Sequence, residues 1–273
     1  MKKIALLILF TLLCVSHVVY AQTIQENEQM IVSWFEDIKE TQSDSAKIQL
    51  NKKIEQLLYT TLQEPNAFNY SFPALKYIGS IYAPDKLMRV FSWNYPLSNG
   101  KYGYSALFMF KSKPKSTPSL HLVSTTTAFK PEETRKYDPS TWYGALYYNV
   151  IAHKISRDKT EYLLLGISNY QPITKVKIIE SIKISNRQLT FGTPLFKKDK
   201  KTLYRAVFEY KKEVNMLLEY ESSKKRFVFD HLSPSDPIYK DVYHFYGPDF
   251  SYDSYQWKKK KLHYTPDIDV RNK

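Results

Sequence analysis

Asp230, His231 and Ser233 lie almost side by side, with Asp236 close behind, and they are the residue types of a hydrolytic triad. In such a triad the acid orients the imidazole, the imidazole takes a proton and the serine attacks. Neighbours on one strand cannot easily face one another, and no Gly-x-Ser-x-Gly elbow surrounds this serine. The expected arrangement is therefore local: a strand end whose Asp and His bond to the following Ser233-Pro234 turn.

A second polar stretch follows at His244-Phe245-Tyr246-Gly247-Pro248-Asp249, then Ser251, Tyr252, Asp253 and Tyr255. Asp249 and Asp253 could serve as the carboxylate pair of a glycoside hydrolase or as oxygen ligands for calcium. The Asp-x-Asp-x-Asp-Gly spacing of an EF-hand is missing, and Tyr-Gly-Pro-Asp reads first as a turn. The catalytic candidates are thus Asp230, His231, Asp249 and Asp253, with no reaction assigned to them. The binding candidates are His244, Tyr246, Tyr252, Lys258 and Lys260.

Metal and cofactor chemistry have little to build on. The histidines His121, His153, His231, His244 and His263 are scattered and form no His-Glu-x-x-His pair. A zinc site from His231, His244 and an Asp is open only on geometric grounds. Seven glycines make neither a GxGxxG nor a GxxxxGK[ST] loop. No metal and no cofactor is expected.

The elements that must carry these residues follow from periodicity. Met30, Ile31, Trp34, Phe35 and Ile38 recur at helical spacing, as do Ile48, Ile54, Leu57, Leu58 and Leu62. Two helices over 26–63 are predicted, with a turn near 41–45 at the capping cluster Ser43-Asp44-Ser45 and a stop at Pro65. From Leu75 the pattern becomes short strands: 75–82, 87–93, 104–111, 120–125, 145–155, 161–167, 175–185, 188–191, 203–210, 215–220 and 226–229. Val176, Ile178, Ile182 and Ile184 alternate with polar neighbours, as a half-buried strand requires. Residues 112–119 and 128–141 read as loops. The aromatic, proline-bearing tail from Asp230 reads as irregular structure closing one end of the sheets. The fold class expected is α+β, mostly β: an N-terminal helical hairpin followed by antiparallel sheets, as a sandwich, barrel or meander.

The start of the chain reads as a secretion signal. Lys2 and Lys3 precede an apolar run over Ile4–Val15, and Val19-Tyr20-Ala21 suits cleavage between Ala21 and Gln22. The organisation expected is 1–21 signal peptide, 22–64 helical segment packing on the body, and 65–273 β-rich body. Leu13 before Cys14 does not fit a lipid-anchoring signal. Cleavage removes Cys14, the only cysteine, so disulfides and thiol chemistry are excluded from the mature chain. No later segment is apolar for long enough to span a bilayer.

Charge is unevenly placed. Residues 22–64 hold 8 acids and 4 bases, whereas 65–273 hold 34 bases and 19 acids. Basic runs occur at Lys197-Lys198, Lys200-Lys201, Lys211-Lys212, Lys224-Lys225-Arg226 and Lys258–Lys261. Most fall at expected hairpin turns. If gathered on one face they would favour an anionic envelope glycan, lipopolysaccharide or a protein partner. Export argues against genomic nucleic acid.

The segments Val90-Phe91-Ser92-Trp93, Trp142–Tyr148, Tyr162–Gly166, Phe227–Pro234 and Tyr246–Asp253 resemble those of an uncharacterised family of exported bacterial proteins. The resemblance would cover most of 75–257, implies one contiguous domain and implies no activity. The reading with most support is an exported, periplasmic or secreted binding protein without enzymatic activity. The alternative is an exported hydrolase whose site lies near Asp230, His231, Asp249 and Asp253. It requires those residues to converge on one concave pocket.

Overall fold

The computed structural model describes residues 23–156, 159–186 and 188–270. The expected signal segment and the Ala21–Gln22 junction lie outside them. Helices α1 (Ile24–Glu40) and α2 (Asp44–Thr61) form the predicted hairpin. Thr23 begins α1 with a capping box: its hydroxyl accepts from Glu26 N, and its own N–H donates to the Glu26 carboxylate at 2.8 Å. Ser43 caps α2 through Ala46 N. Ile31, Phe35 and Ile38 of α1, with Ile54, Leu58 and Leu62 around α2, are buried.

Three antiparallel sheets stack behind this hairpin. The first runs β1 (Gly79–Tyr82), β2 (Met88–Pro96), β3 (Tyr102–Phe110), β4 (Ser119–Thr125). The second contains β5 (Leu146–Ser156), β6 (Lys159–Ser168), β7 (Thr174–Ser185) and β11 (Arg205–Lys211), in the order β11-β7-β6-β5, with β8 (Gln188–Phe191) also on β7. The third has the order β10-β9-β15-β14-β13-β12. Its strands are β9 (Phe196–Lys198), β10 (Lys201–Leu203), β12 (Leu218–Glu221), β13 (Arg226–Pro234), β14 (Tyr246–Lys258) and β15 (Lys261–Thr265). Among the described residues every strand pair is antiparallel except β15–β9.

Period-two alternation builds the layers, because successive side chains on a strand face opposite ways. Phe91, Trp93, Leu107 and Met109 pack under the helices, while Val90, Ala106 and Phe108 face the second sheet. Leu164 and Ile178 meet them, and Leu163, Leu165 and Ile179 turn the other way onto Phe227, Phe229 and Tyr255 of the third sheet. The architecture is thus helix, sheet, sheet, sheet, held by three apolar interfaces.

Several elements differ from expectation. The tail from Asp230 is not irregular: it continues β13 and adds β14 and β15. Pro248 is tolerated because it sits beside an irregularity in the β13–β14 ladder. The 203–210 run breaks at Tyr204, where the chain crosses from β10 in the third sheet to β11 in the second. Of 75–82 only the last four residues are strand, and of 215–220 only the end joins β12. The basic runs 224–226 and 258–261 do mark hairpin turns.

One buried ion pair holds the long 126–145 loop. Arg205 and Glu180 are both fully buried, with Nε 2.7 Å from Oε2. The Tyr143 hydroxyl donates to the same carboxylate oxygen at 2.9 Å. The remaining guanidinium donors reach the carbonyls of Glu132, Arg135 and Phe191. Gly192 lets the chain pass this group: its φ is +99°, and a Cβ there would lie 2.8 Å from the Arg205 guanidinium.

Candidate active or binding cleft

The pinned loop brings Glu133 beneath β11. Tyr204 N donates to its carbonyl and Val207 N to its carboxylate, at 2.8 and 3.2 Å. Opposite it stands the third sheet, and between them opens a cleft of about 200 Å³. Asp230, His231, Asp253 and Tyr246 line it together with Glu133, Lys198, Glu209 and the rings of Phe208, Phe229, Tyr243, Tyr255 and Tyr264.

The polar centre is a His–Asp pair. Strand pairing explains it. On β13 the ladder skips from Asp230↔Tyr252 to Leu232↔Pro248, so His231 faces a bulge made of Asp249, Phe250 and Ser251. Its Nδ1 lies 2.8 Å from Asp253 Oδ2. Asp253 is almost wholly buried and also accepts from the Tyr264 hydroxyl at 2.6 Å and from Asp267 N at 3.1 Å. A carboxylate that accepts at Nδ1 leaves Nε2 of a neutral ring as a lone-pair acceptor, and the His231 side chain is 42 % exposed.

The neighbouring groups are charged and partnered. Glu209 bonds Lys130 at 2.8 Å and Thr174 at 2.7 Å, and also holds Tyr170. Lys130 lies 4.2 Å above the Tyr243 ring, and Lys198 4.7 Å above Tyr264. Burial pushes the Glu133 carboxyl up, against the pull of Val207 N and nearby cations. Burial also works to raise the Tyr264 hydroxyl, and the Asp253 carboxylate beside it adds to that.

The sequence candidates are thus only partly united. Asp230 lines the cleft, yet it does not bond His231: its Oδ2 accepts from Leu217 N at 2.6 Å, tying β13 to the start of β12. Neither it nor His231 bonds the Ser233-Pro234 segment as expected: Asp230 is taken up by Leu217 N and His231 by Asp253. Asp249 stands at the bulge, where its Oδ1 accepts from Ser251 N and Oγ. Burial opposes its ionisation, but the Ser251 bonds and His231 outweigh it and hold the carboxyl below its usual range. Asp249 and Asp253 therefore serve different ends of the bulge and do not form a matched pair. The His244 ring lies tilted against Phe245, with ring centres 4.1 Å apart, and Tyr252 lies in a separate groove with Phe250 and Ile268. Lys258 and Lys260 sit at the far hairpin.

Sequence reasoning missed Glu133, Lys198, Phe208, Glu209, Tyr243 and Tyr264. Glu133 comes from a loop held by the buried Arg205, and Lys198 from a three-residue strand held between β10 and β15; no local pattern reveals either placement. Phe208 was visible as an alternating residue of β11, without a sign of which sheet it meets. No group of three or more metal-ligating side chains occurs among the described residues. Comparison with protein-family models, curated proteins and solved structures finds no match.

Proposed function

We propose that the protein is an exported, non-enzymatic binding protein, and that its cleft takes one ring of a hydroxyl-rich ligand such as a saccharide unit. The carrying observation is the union in one concavity of aromatic walls and fixed polar groups. Ring faces offer apolar surface to the C–H face of a sugar, while His231, Glu133 and Lys198 offer donors and acceptors to its hydroxyls. The groups that align these side chains belong to the same cleft wall: Asp253 for His231 and Val207 N for Glu133. Four lining carboxylates against Lys198 and His231 disfavour an anionic ring here. The anionic partner suggested by the net charge belongs to another surface.

Saturation-transfer NMR with neutral monosaccharides and with glucuronate tests the reading. Neutral sugars are expected to receive saturation, and His231→Ala to weaken binding by about tenfold or more, on the order of 1.4 kcal/mol. No transfer to any sugar, or unchanged affinity in the variant, overturns it. Export itself is checked by the N-terminus of the protein recovered outside the cytoplasm, which should be Gln22.

The His231–Asp253 pair favours one second reading, a hydrolase in which Nε2 acts as general base on water. The cleft lining contains no serine, threonine or cysteine to serve as nucleophile. A bound sugar recovered unchanged after long incubation supports the binding reading, and release of new reducing ends supports the hydrolase.

A further inference from the structure

At the opposite end of the third sheet the basic runs come together. The 222–225 turn lies along β14: Trp257 N donates to the Lys225 carbonyl at 3.2 Å, and Gln256 Nε2 to the Lys224 carbonyl at 3.3 Å. Lys258–Lys261 follow directly on β14, so both runs occupy one corner. The acid there is spent: Glu221 pairs with Arg226 at 2.6 Å and Lys224 at 3.2 Å.

Beside this corner runs the outer edge of β5, the last strand of the second sheet. At Tyr147 that edge is closed, because its N–H donates to the Ser92 hydroxyl at 2.9 Å. Further along it is open. Among the described residues, the backbone of 149–154 makes no backbone hydrogen bond except to β6. A groove of about 500 Å³ follows this stretch, with Pro84 on one wall and Tyr220, Ser222 and Lys225 on the other. His153 and Lys154 also line it. The His153 ring is fixed by stacking on Trp257, 3.9 Å away and 6° from parallel. Burial first, then Lys225, holds His153 below its usual value, so the charge at neutral pH comes from Lys154 and Lys225. Among the described residues no acid lines the groove, and Glu161, across the ladder from His153, is buried.

We propose that this groove binds an extended acidic peptide segment of a partner protein, which adds to the second sheet as a strand beside β5. An open strand edge supplies main-chain donors and acceptors at the spacing of an incoming strand, and flanking walls select alternate side chains. The two lysines, backed by the Lys258–Lys261 corner, select carboxylates. A second copy docking edge to edge would bring two basic corners together, so charge disfavours that occupant.

The test uses the mature protein and a fluorescein-labelled alternating Glu–Val octapeptide, followed by anisotropy at low salt. Saturable binding is expected, weakened about tenfold or more by Lys154→Glu with Lys225→Glu, two exposed positions whose exchange leaves the core intact. The same peptide N-methylated at alternate residues keeps its charge but loses ladder donors, and is expected to bind at least about tenfold more weakly. Equal binding of the methylated peptide reduces the site to surface charge and overturns the proposal. So does absence of binding, equal binding of a Lys–Val octapeptide, or a concentration-dependent dimer that the peptide does not dissociate. None of these outcomes involves the sugar cleft, which lies at the other end of the third sheet.

Discussion

Replacing Tyr264 by Phe removes one hydroxyl from the centre of the cleft and leaves the ring in place. That hydroxyl donates to Asp253 Oδ2 at 2.6 Å. A hydrogen bond to a charged group contributes about 1.5–3 kcal/mol when buried. Tyr264 is only half-buried, and Asp253 keeps two other donors, His231 Nδ1 and Asp267 N. The loss should therefore fall at about 1–1.5 kcal/mol. The decisive comparison is a double-mutant cycle with Asp253→Asn. In wild type Oδ2 receives two donors. An asparagine that keeps its oxygen at that position turns its NH₂ toward the Asp267 N–H, so donor meets donor. If it flips, the NH₂ faces His231 and Tyr264 and both must reverse their roles. Either way the Tyr264 hydroxyl loses its charged acceptor. Tyr264→Phe should then cost little in the Asp253→Asn background, giving a coupling of about 1 kcal/mol. Urea unfolding followed by tryptophan fluorescence on the four proteins measures it. An equal cost of Tyr264→Phe in both backgrounds would refute the claim that Asp253 organises the cleft.

Three further outcomes follow from the same geometry. Glu133→Gln should relieve a pH-dependent penalty. Burial raises the folded carboxyl above its ordinary 4.5, so folding favours the protonated acid; that contribution is complete at lower pH and is lost as pH rises through the folded value. The variant's urea midpoint should gain on wild type between pH 4 and pH 7, whereas parallel curves contradict the assignment. Arg205→Ala leaves the fully buried Glu180 carboxyl without its cation and frees the carbonyls that hold the 126–145 loop. A loss of about 3–5 kcal/mol is expected in equilibrium unfolding, with a cost under 1 kcal/mol pointing to a dispensable pair. Phe250 is 93 % exposed with φ of 72°, so Phe250→Gly removes a left-handed strain and almost no packing. Its stability should stay within about 1 kcal/mol of wild type; a loss above 2 kcal/mol would show that the ring packs.

Much of the fold was legible because it rests on local periodicity. Ile31, Phe35 and Ile38 mark α1, and Val176, Ile178 and Ile182 mark β7, without reference to distant residues. The tail was misread because Pro248, Gly247 and several polar residues are turn signals, and only the partner strand β13 shows that the bulge absorbs them. The site was half-legible for a related reason. His231 and Asp253 were visible as reactive types, but their pairing depends on a bulge 18 residues downstream of His231 and on the register behind it. Asp230, equally suggestive in sequence, is taken up by Leu217 N, a partner that no local pattern reveals. Glu133 had no signal, since its place is set by Arg205 more than 70 residues later.

The central claim is that the cleft around His231 is where a ligand sits. Imidazole NMR tests it most directly, because His231 lines that cleft and His153 lines the separate groove at the other end of the third sheet. On titration with a neutral disaccharide at fixed pH, the His231 ring signals should shift and saturate while those of His153 stay unchanged. Shifts confined to His153, or none at His231 across a panel of neutral sugars, would contradict it.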